Sequence, residues 1–153
     1  MRLKMEELVP LIVEVISSGA SFKLYPNGQS MLPTIVAGED SVELSKPDEK
    51  LKKYDIVLYK RDNGQYVLHR LLKEHGEYYD MCGDNQLEIE KNVRKSDVIA
   101  VATAIYKGDK CIKTDSMEFI KDAKKMYCKK SVQRVISHIK KVLSPAYRFI
   151  FKK

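Results

Sequence analysis

The chain has 153 residues, of which 44% are hydrophobic and 32% are charged, and its formal net charge is +7. This length and composition indicate one globular domain with its own core and exclude an intrinsically disordered protein. No run approaches the roughly 18–20 apolar residues of a transmembrane helix, and three cysteines without metal-ligand spacing predict free thiols in a reducing cytoplasm.

The chain starts with a predicted helix and continues with a series of short predicted strands. Apolar residues at helical spacing predict a helix over residues 3–18, which Gly19 closes. Alternating and β-branched segments predict strands at 22–25, 41–44, 55–60, 65–72, 77–82 and 97–107. Asn63-Gly64 predicts a hairpin between the third and fourth of these. The pattern indicates a mostly β fold, a coiled antiparallel, barrel-like domain.

From Ser116 the apolar period becomes helical, and we expect Pro145 to stop or kink that helix. Residues 121–153 hold eleven Lys/Arg against one acid, whereas residues 1–120 hold seventeen against twenty. The sequence therefore divides into a helix and β domain at 1–115 and a basic amphipathic tail at 116–153. The tail either packs on the β domain or binds an anionic membrane surface. Without a recognition motif, the charge does not predict nucleic-acid binding.

Three short boxes carry the residue types of a serine hydrolase. Ser30 lies in a turn bracketed by Gly28 and Pro33, His69 lies on a predicted strand, and Asp84 follows in Gly-Asp-Asn. A serine hydroxyl attacks well only when a positioned base takes its proton, and a third group commonly orients that base. The set indicates peptide-bond hydrolysis. Considered alone, Ser30 would be interpreted as a turn residue and His69 as a residue of the core.

The order of the boxes resembles the type I signal peptidase superfamily, which also contains the self-cleaving SOS-response repressors. The matching boxes span roughly residues 22–106 and are Ser30-Met31-x-Pro33-Thr34, Asp55-Ile56-Val57-Leu58-Tyr59, His69-Arg70-Leu71 and Gly83-Asp84-Asn85. Bacterial signal peptidases and the repressors have lysine as the base, and the archaeal and endoplasmic-reticulum type has histidine. The resemblance implies the superfamily's β body, with Ser30 as the nucleophile and His69 as the base. We expect activity to rise through about pH 6–7 as His69 loses its proton.

The resemblance leaves the third catalytic group and the oxyanion hole open. Asp84 and Glu90 are equal candidates to orient His69, with Glu88 behind them. Gly28 stands where many signal peptidases carry an oxyanion-binding serine. The oxyanion and substrate site would then involve Gly28, backbone N–H groups around Ser30, and the neighbours Gln29, Met31 and Pro33.

The sequence therefore predicts a cytoplasmic serine endopeptidase, with a peripheral position on the membrane as the alternative. It would remove a leader or signal peptide from a precursor by cleaving after a small residue, with no metal or organic cofactor. No N-terminal membrane anchor is recognised, so the chain is most similar to small soluble members of the superfamily. Self-cleavage is disfavoured because only 29 residues precede Ser30. The rival interpretation is a catalytically silent module that binds peptides or membranes.

Overall fold

The computed structural model describes residues 4–150, and the side chains of residues 4–143. Eight strands lie between two helices, with a short 3-10 turn at Lys95–Asp97. The elements are α1 Met5–Ser17, β1 Phe22–Leu24, β2 Ser41–Ser45, β3 Ile56–Lys60, β4 Tyr66–His75, β5 Tyr78–Cys82, β6 Glu90–Arg94, β7 Val98–Lys107, β8 Lys110–Lys113 and α2 Met117–Ile150. The predicted mostly β class, with a helix at each end, is confirmed.

The strands form one antiparallel sheet in the order β1-β2-β7-β3-β4-β5-β6, and β8 pairs with β7. Within the described residues no ladder joins β1 to β6, so the sheet is open. Alternate residues of β3 face two apolar clusters: Ile56 and Leu58 join the cluster that α1 covers, and Val57 and Tyr59 join the other. Because both faces of β3 are buried, the β3–β4 hairpin is a rigid base for the side chains it carries.

Three elements differ from the sequence predictions. β6 and β8 are strands that the sequence did not predict, because both are short, polar and mostly exposed. Backbone hydrogen bonds pair β6 with β5 and β8 with β7. Because these bonds do not depend on side-chain type, the two strands show little alternation of apolar and polar residues in the sequence. α2 runs past Pro145 to Ile150, so of the two outcomes predicted for this proline, a stop or a kink, the stop is wrong. A proline removes one helical hydrogen bond and does not by itself end a helix. None of the helices in the described part of the chain is both long and apolar enough to cross a bilayer.

Candidate active site

Ser30 lies in the loop between β1 and β2, and this loop packs on the loop that follows β5. Gly28 adopts a left-handed conformation with φ of 88°, which a side chain would disfavour. The backbone carbonyl of Ser30 accepts a hydrogen bond from the N–H of Asn85 at 2.8 Å. A Cβ at Gly83 would lie 2.6 Å from that same carbonyl oxygen, so only glycine allows this approach. The structure therefore brings the Ser30 turn and the Gly83-Asp84-Asn85 segment together.

Backbone N–H groups of the serine loop are candidates to bind an incoming oxyanion. The N–H of Leu32 donates to the Gln29 carbonyl at 3.2 Å, and the N–H of Ile35 donates to the Met31 carbonyl at 2.9 Å. In the described part of this loop, the N–H groups of Ser30 and Met31 take no part in these backbone-to-backbone hydrogen bonds. Gln29 is exposed and Met31 is buried in the core. The backbone of Ser30 and Met31 can thus supply the donors that Gly28 does not.

A groove of about 890 Å³ runs beside Ser30. The loop residues Gly28, Ser30 and Met31 line it, and so do β1 and the β3–β4 hairpin. β1 is an edge strand of the sheet, so one side of its backbone is free to pair with an extended peptide. Pro33 is exposed and lines a different cavity, between α2 and β8. The structure therefore places Gly28 and Met31 beside the groove and Pro33 outside it.

His69 lies on β4 opposite Val57 of β3, with its side chain on the face that also carries Tyr59. The residue is 1% exposed. Its Nδ1 lies 3.1 Å from the Tyr59 hydroxyl oxygen, and that hydroxyl donates to Glu90 Oε2 at 2.8 Å. An ionised carboxylate only accepts hydrogen bonds, so the single phenol proton goes to Glu90. The phenol oxygen must then accept from Nδ1–H, which leaves Nε2 without a proton.

The two ring nitrogens of His69 differ in their hydrogen-bond partners. Within the described residues, every side-chain nitrogen and oxygen that is shut off from solvent has a hydrogen-bond partner. Nδ1 bonds to Tyr59, and no described group bonds to Nε2. The nitrogen that can accept a proton is therefore Nε2, on a ring that is almost fully buried.

Burial, helped by the positive charge of Arg61 and opposed by the negative charges of Glu90 and Asp84, lowers the pKa of His69 to about 4. Burial by itself raises the pKa of Glu90, but hydrogen bonds from Arg61 and Tyr59 outweigh it and hold that pKa below its usual value. Arg61 Nη2 lies 2.7 Å from Glu90 Oε2, and Arg61 Nε lies 3.0 Å from both carboxylate oxygens. At neutral pH His69 is therefore neutral and Glu90 is ionised.

Of the two acids predicted to orient His69, Glu90 is the one that lies beside it. Its Oε2 is 3.9 Å from Nδ1, with the Tyr59 hydroxyl bonded to both residues. Asp84 is bonded elsewhere: Oδ1 accepts from Arg70 and Tyr127 at 2.9 Å each, and Oδ2 accepts from Arg70 at 2.6 Å and Thr34 at 2.5 Å. These four bonds occupy the carboxylate, so Asp84 holds the loops together and makes no hydrogen bond to His69. Glu88 is exposed.

α2 fixes the loop after β5 through polar side chains on its inner face. The Tyr127 hydroxyl, which donates to Asp84, also lies 3.0 Å from the Cys82 carbonyl oxygen. Lys130 Nζ donates to the carbonyls of Gly83 at 3.0 Å and Gln86 at 2.9 Å. Since the same loop holds the Ser30 carbonyl through Asn85, α2 supports the serine loop indirectly.

His69 lies next to Arg70, which pairs with Cys82 at the end of β5, and Gly83 follows Cys82 directly. A Cβ at Gly83 would meet the carbonyl oxygen of Ser30, so the Ser30 backbone lies beside that end of β5. No hydrogen bond joins Ser30 to His69 in the described residues. Catalytic hydrogen bonds of this kind commonly tighten only when substrate binds.

Sequence reasoning missed four residues of this site: Tyr59, Arg61, Arg70 and Tyr127. The position of Tyr59 beside His69 could have been predicted from the Asn63-Gly64 hairpin. This hairpin sets the β3–β4 register, which puts Tyr59 diagonally beside His69 on one face. Arg61 and Tyr127 reach the site from a turn and a distant helix, and no local pattern predicts such contacts.

The described residues contain no cluster of three or more His, Cys, Asp or Glu side chains able to hold a metal ion. No protein-family model, curated protein or solved structure matches the chain.

Proposed function

We propose that this protein is a serine peptidase of the signal peptidase type, with Ser30 as the nucleophile and His69 as the general base. The observation that carries the proposal is the state of His69. Its ring is buried and neutral, and Nδ1–H is tied through Tyr59 to the ionised Glu90, which leaves Nε2 without a proton. A histidine that serves only packing has no need of an oriented tautomer of this kind.

In the proposed mechanism Nε2 of His69 takes the proton of Ser30 Oγ as the oxygen attacks the peptide carbonyl. The imidazolium that forms is stabilised by the Tyr59–Glu90 pair, and Arg61 keeps Glu90 ionised. The N–H groups of Ser30 and Met31 donate to the developing oxyanion. His69 then returns the proton to the leaving amine, and water releases the acyl group by the same route.

The proposed substrate is an extended precursor peptide that pairs with β1 in the groove beside Ser30 and is cleaved after a small residue. The groove's position along an edge strand supports an extended backbone. Cleavage after a small residue and the removal of a leader or signal peptide rest on the family resemblance. A coiled, barrel-like β body and a cytoplasmic location belong to the same proposal.

Labelling with a fluorophosphonate probe tests the proposal directly, because the probe reacts with serines activated by a base. We expect mass spectrometry to find the adduct on Ser30 of the wild type and no adduct in Ser30→Ala. His69→Gln should label at least 100-fold more slowly. Ser96→Ala removes an exposed serine far from these boxes and should label like the wild type.

The rival function, a silent peptide-binding module, is favoured by one observation, the missing hydrogen bond between Ser30 and His69. Equal labelling of wild type and Ser30→Ala, or none in either, would refute the peptidase. If peptides with a small residue at the expected cleavage position still bound in the groove, the catalytically silent peptide-binding module would become the preferred function.

A further inference from the structure

The two halves of α2 differ in what faces the β body. In the first half, Ala123, Tyr127 and Lys130 are buried against it. Arg134 Nε donates to the Leu87 carbonyl at 2.5 Å. Beyond Arg134, no described side chain of α2 bonds to the rest of the protein. The described part of the second half is therefore not bonded to the β body.

Six aliphatic side chains of α2, from Val132 onward, form an exposed stripe. Each is 46–60% exposed, and they are Val132, Val135, Ile136, Ile139, Val142 and Leu143. At about 100° of rotation per residue, the centre of this outer stripe lies about 150° around the helix from the buried side chains of the first half. The β body therefore lies on the opposite side of α2 and does not cover the outer stripe.

Basic residues surround the outer stripe. Residues 121–143 hold eight Lys/Arg against one acid, Asp122. Lys121 and Lys125 lie on the line of the stripe about two to three turns earlier, and Lys129 and Lys140 lie beside it at about 75–95° from its centre. An apolar strip with flanking cations is the pattern of a helix that lies in the interface of an anionic bilayer.

We propose that the outer stripe docks on an anionic lipid surface, with the aliphatic side chains in the headgroup boundary and the lysines on lipid phosphates. The charge argues against a second copy of this chain, because two strongly basic helices repel each other side by side. Among the side chains that the structure describes, the stripe covers less than two heptads, whereas a coiled coil sustains its pattern over at least three or four. Nucleic acid would complement the positive charge of α2. It offers no apolar surface, however, on which the six aliphatic side chains could be buried.

Co-sedimentation of the full chain with lipid vesicles tests the proposal. Vesicles of phosphatidylcholine with 30% phosphatidylglycerol should bind the wild type at least tenfold more strongly than phosphatidylcholine alone, since each basic residue near an anionic surface contributes about fivefold. Ile139→Ser should weaken binding to the anionic vesicles at least tenfold by removing apolar contact, and Ile139→Asp should weaken it further.

Gln133→Asp is the matched control, because it adds the same charge as Ile139→Asp at an exposed position off the stripe. It should weaken binding by no more than about fivefold, and thermal unfolding should confirm that all variants are folded. Equal binding of the wild type to both vesicle types, or equal binding by Ile139→Ser and wild type, would overturn the proposal. A dimer that Ile139→Asp dissociates, without vesicle binding, would assign the stripe to a second copy instead.

Discussion

The buried neutral imidazole of His69 should make the stability of the protein depend on pH. Burial lowers its pKa in the folded protein to about 4, whereas in the unfolded chain the histidine takes up a proton near pH 6.5. Between these pH values the unfolded state binds more protons, so the free energy of unfolding falls as the pH falls. Between pH 7.5 and pH 5 the expected loss is about 2 kcal/mol, rising to about 3 kcal/mol below pH 4.

Urea unfolding at pH 7.5 and pH 5 measures this loss once other titrations are subtracted. His69→Gln removes the titrating group, and His138→Gln removes an exposed histidine of α2 as the control. Wild type and His138→Gln should each lose about 2 kcal/mol more than His69→Gln, a difference of about 4–8 °C in Tm for a chain of this size. If wild type and His69→Gln respond equally to pH, the imidazole is not held neutral and the reasoning fails.

The same low pKa moves the expected activity profile. An ordinary histidine pKa led us to expect a rise in activity through about pH 6–7. With the folded pKa at about 4, the rate of Ser30 labelling should rise through about pH 4 and be level from pH 6 to 7. A rise centred at pH 6–7 would show that His69 is more exposed to solvent than in the structure.

The other contacts of the site lead to four further predictions. Asp84→Asn leaves the buried Arg70 guanidinium without its counter-charge and should lower the free energy of unfolding by about 3–5 kcal/mol in urea titrations. Tyr59→Phe leaves the His69 Nδ1–H without an acceptor, which should cost about 1–3 kcal/mol and slow Ser30 labelling at least tenfold. Gly83→Ala forces a Cβ against the Ser30 carbonyl and should cost about 1–3 kcal/mol, with a further loss of labelling. Lys130→Met removes the donor to two loop carbonyls and should slow labelling while the far-UV circular dichroism stays unchanged.

Matched variants separate these effects from general damage. Asp62→Asn breaks an exposed pair with Arg94 and should change stability by less than about 1 kcal/mol. A similar change in Asp84→Asn would mean that the Arg70–Asp84 pair is hydrated. Tyr79→Phe alters a buried tyrosine away from His69, and a labelling rate as low as that of Tyr59→Phe would argue against the Tyr59 relay. Labelling at the wild-type rate in Gly83→Ala or Lys130→Met would show that the loop after β5 does not position Ser30.

Local patterns in the sequence were enough to predict much of the secondary structure that carries the site. Asn63-Gly64 has the turn preference that sets the β3–β4 register, and that register places His69 and Tyr59 on one face. The helical period after Ser116 predicted α2, which starts at Met117. These features depend on contacts between residues close in the chain, where propensity and periodicity carry the information.

Tertiary contacts decided the roles of the two acids and of the two faces of α2. Asp84 and Glu90 lie six residues apart on either side of one loop, and no local pattern tells which will meet His69. The choice follows from Arg70, Thr34 and Tyr127, which come from distant elements and take up both oxygens of Asp84. The apolar residues of α2 likewise form one helical pattern in the sequence, yet only the packing of its first half against the β body determines that the later residues face outward. Burial and partner choice depend on what the rest of the chain brings to each side chain, which is information that spacing along the sequence does not contain.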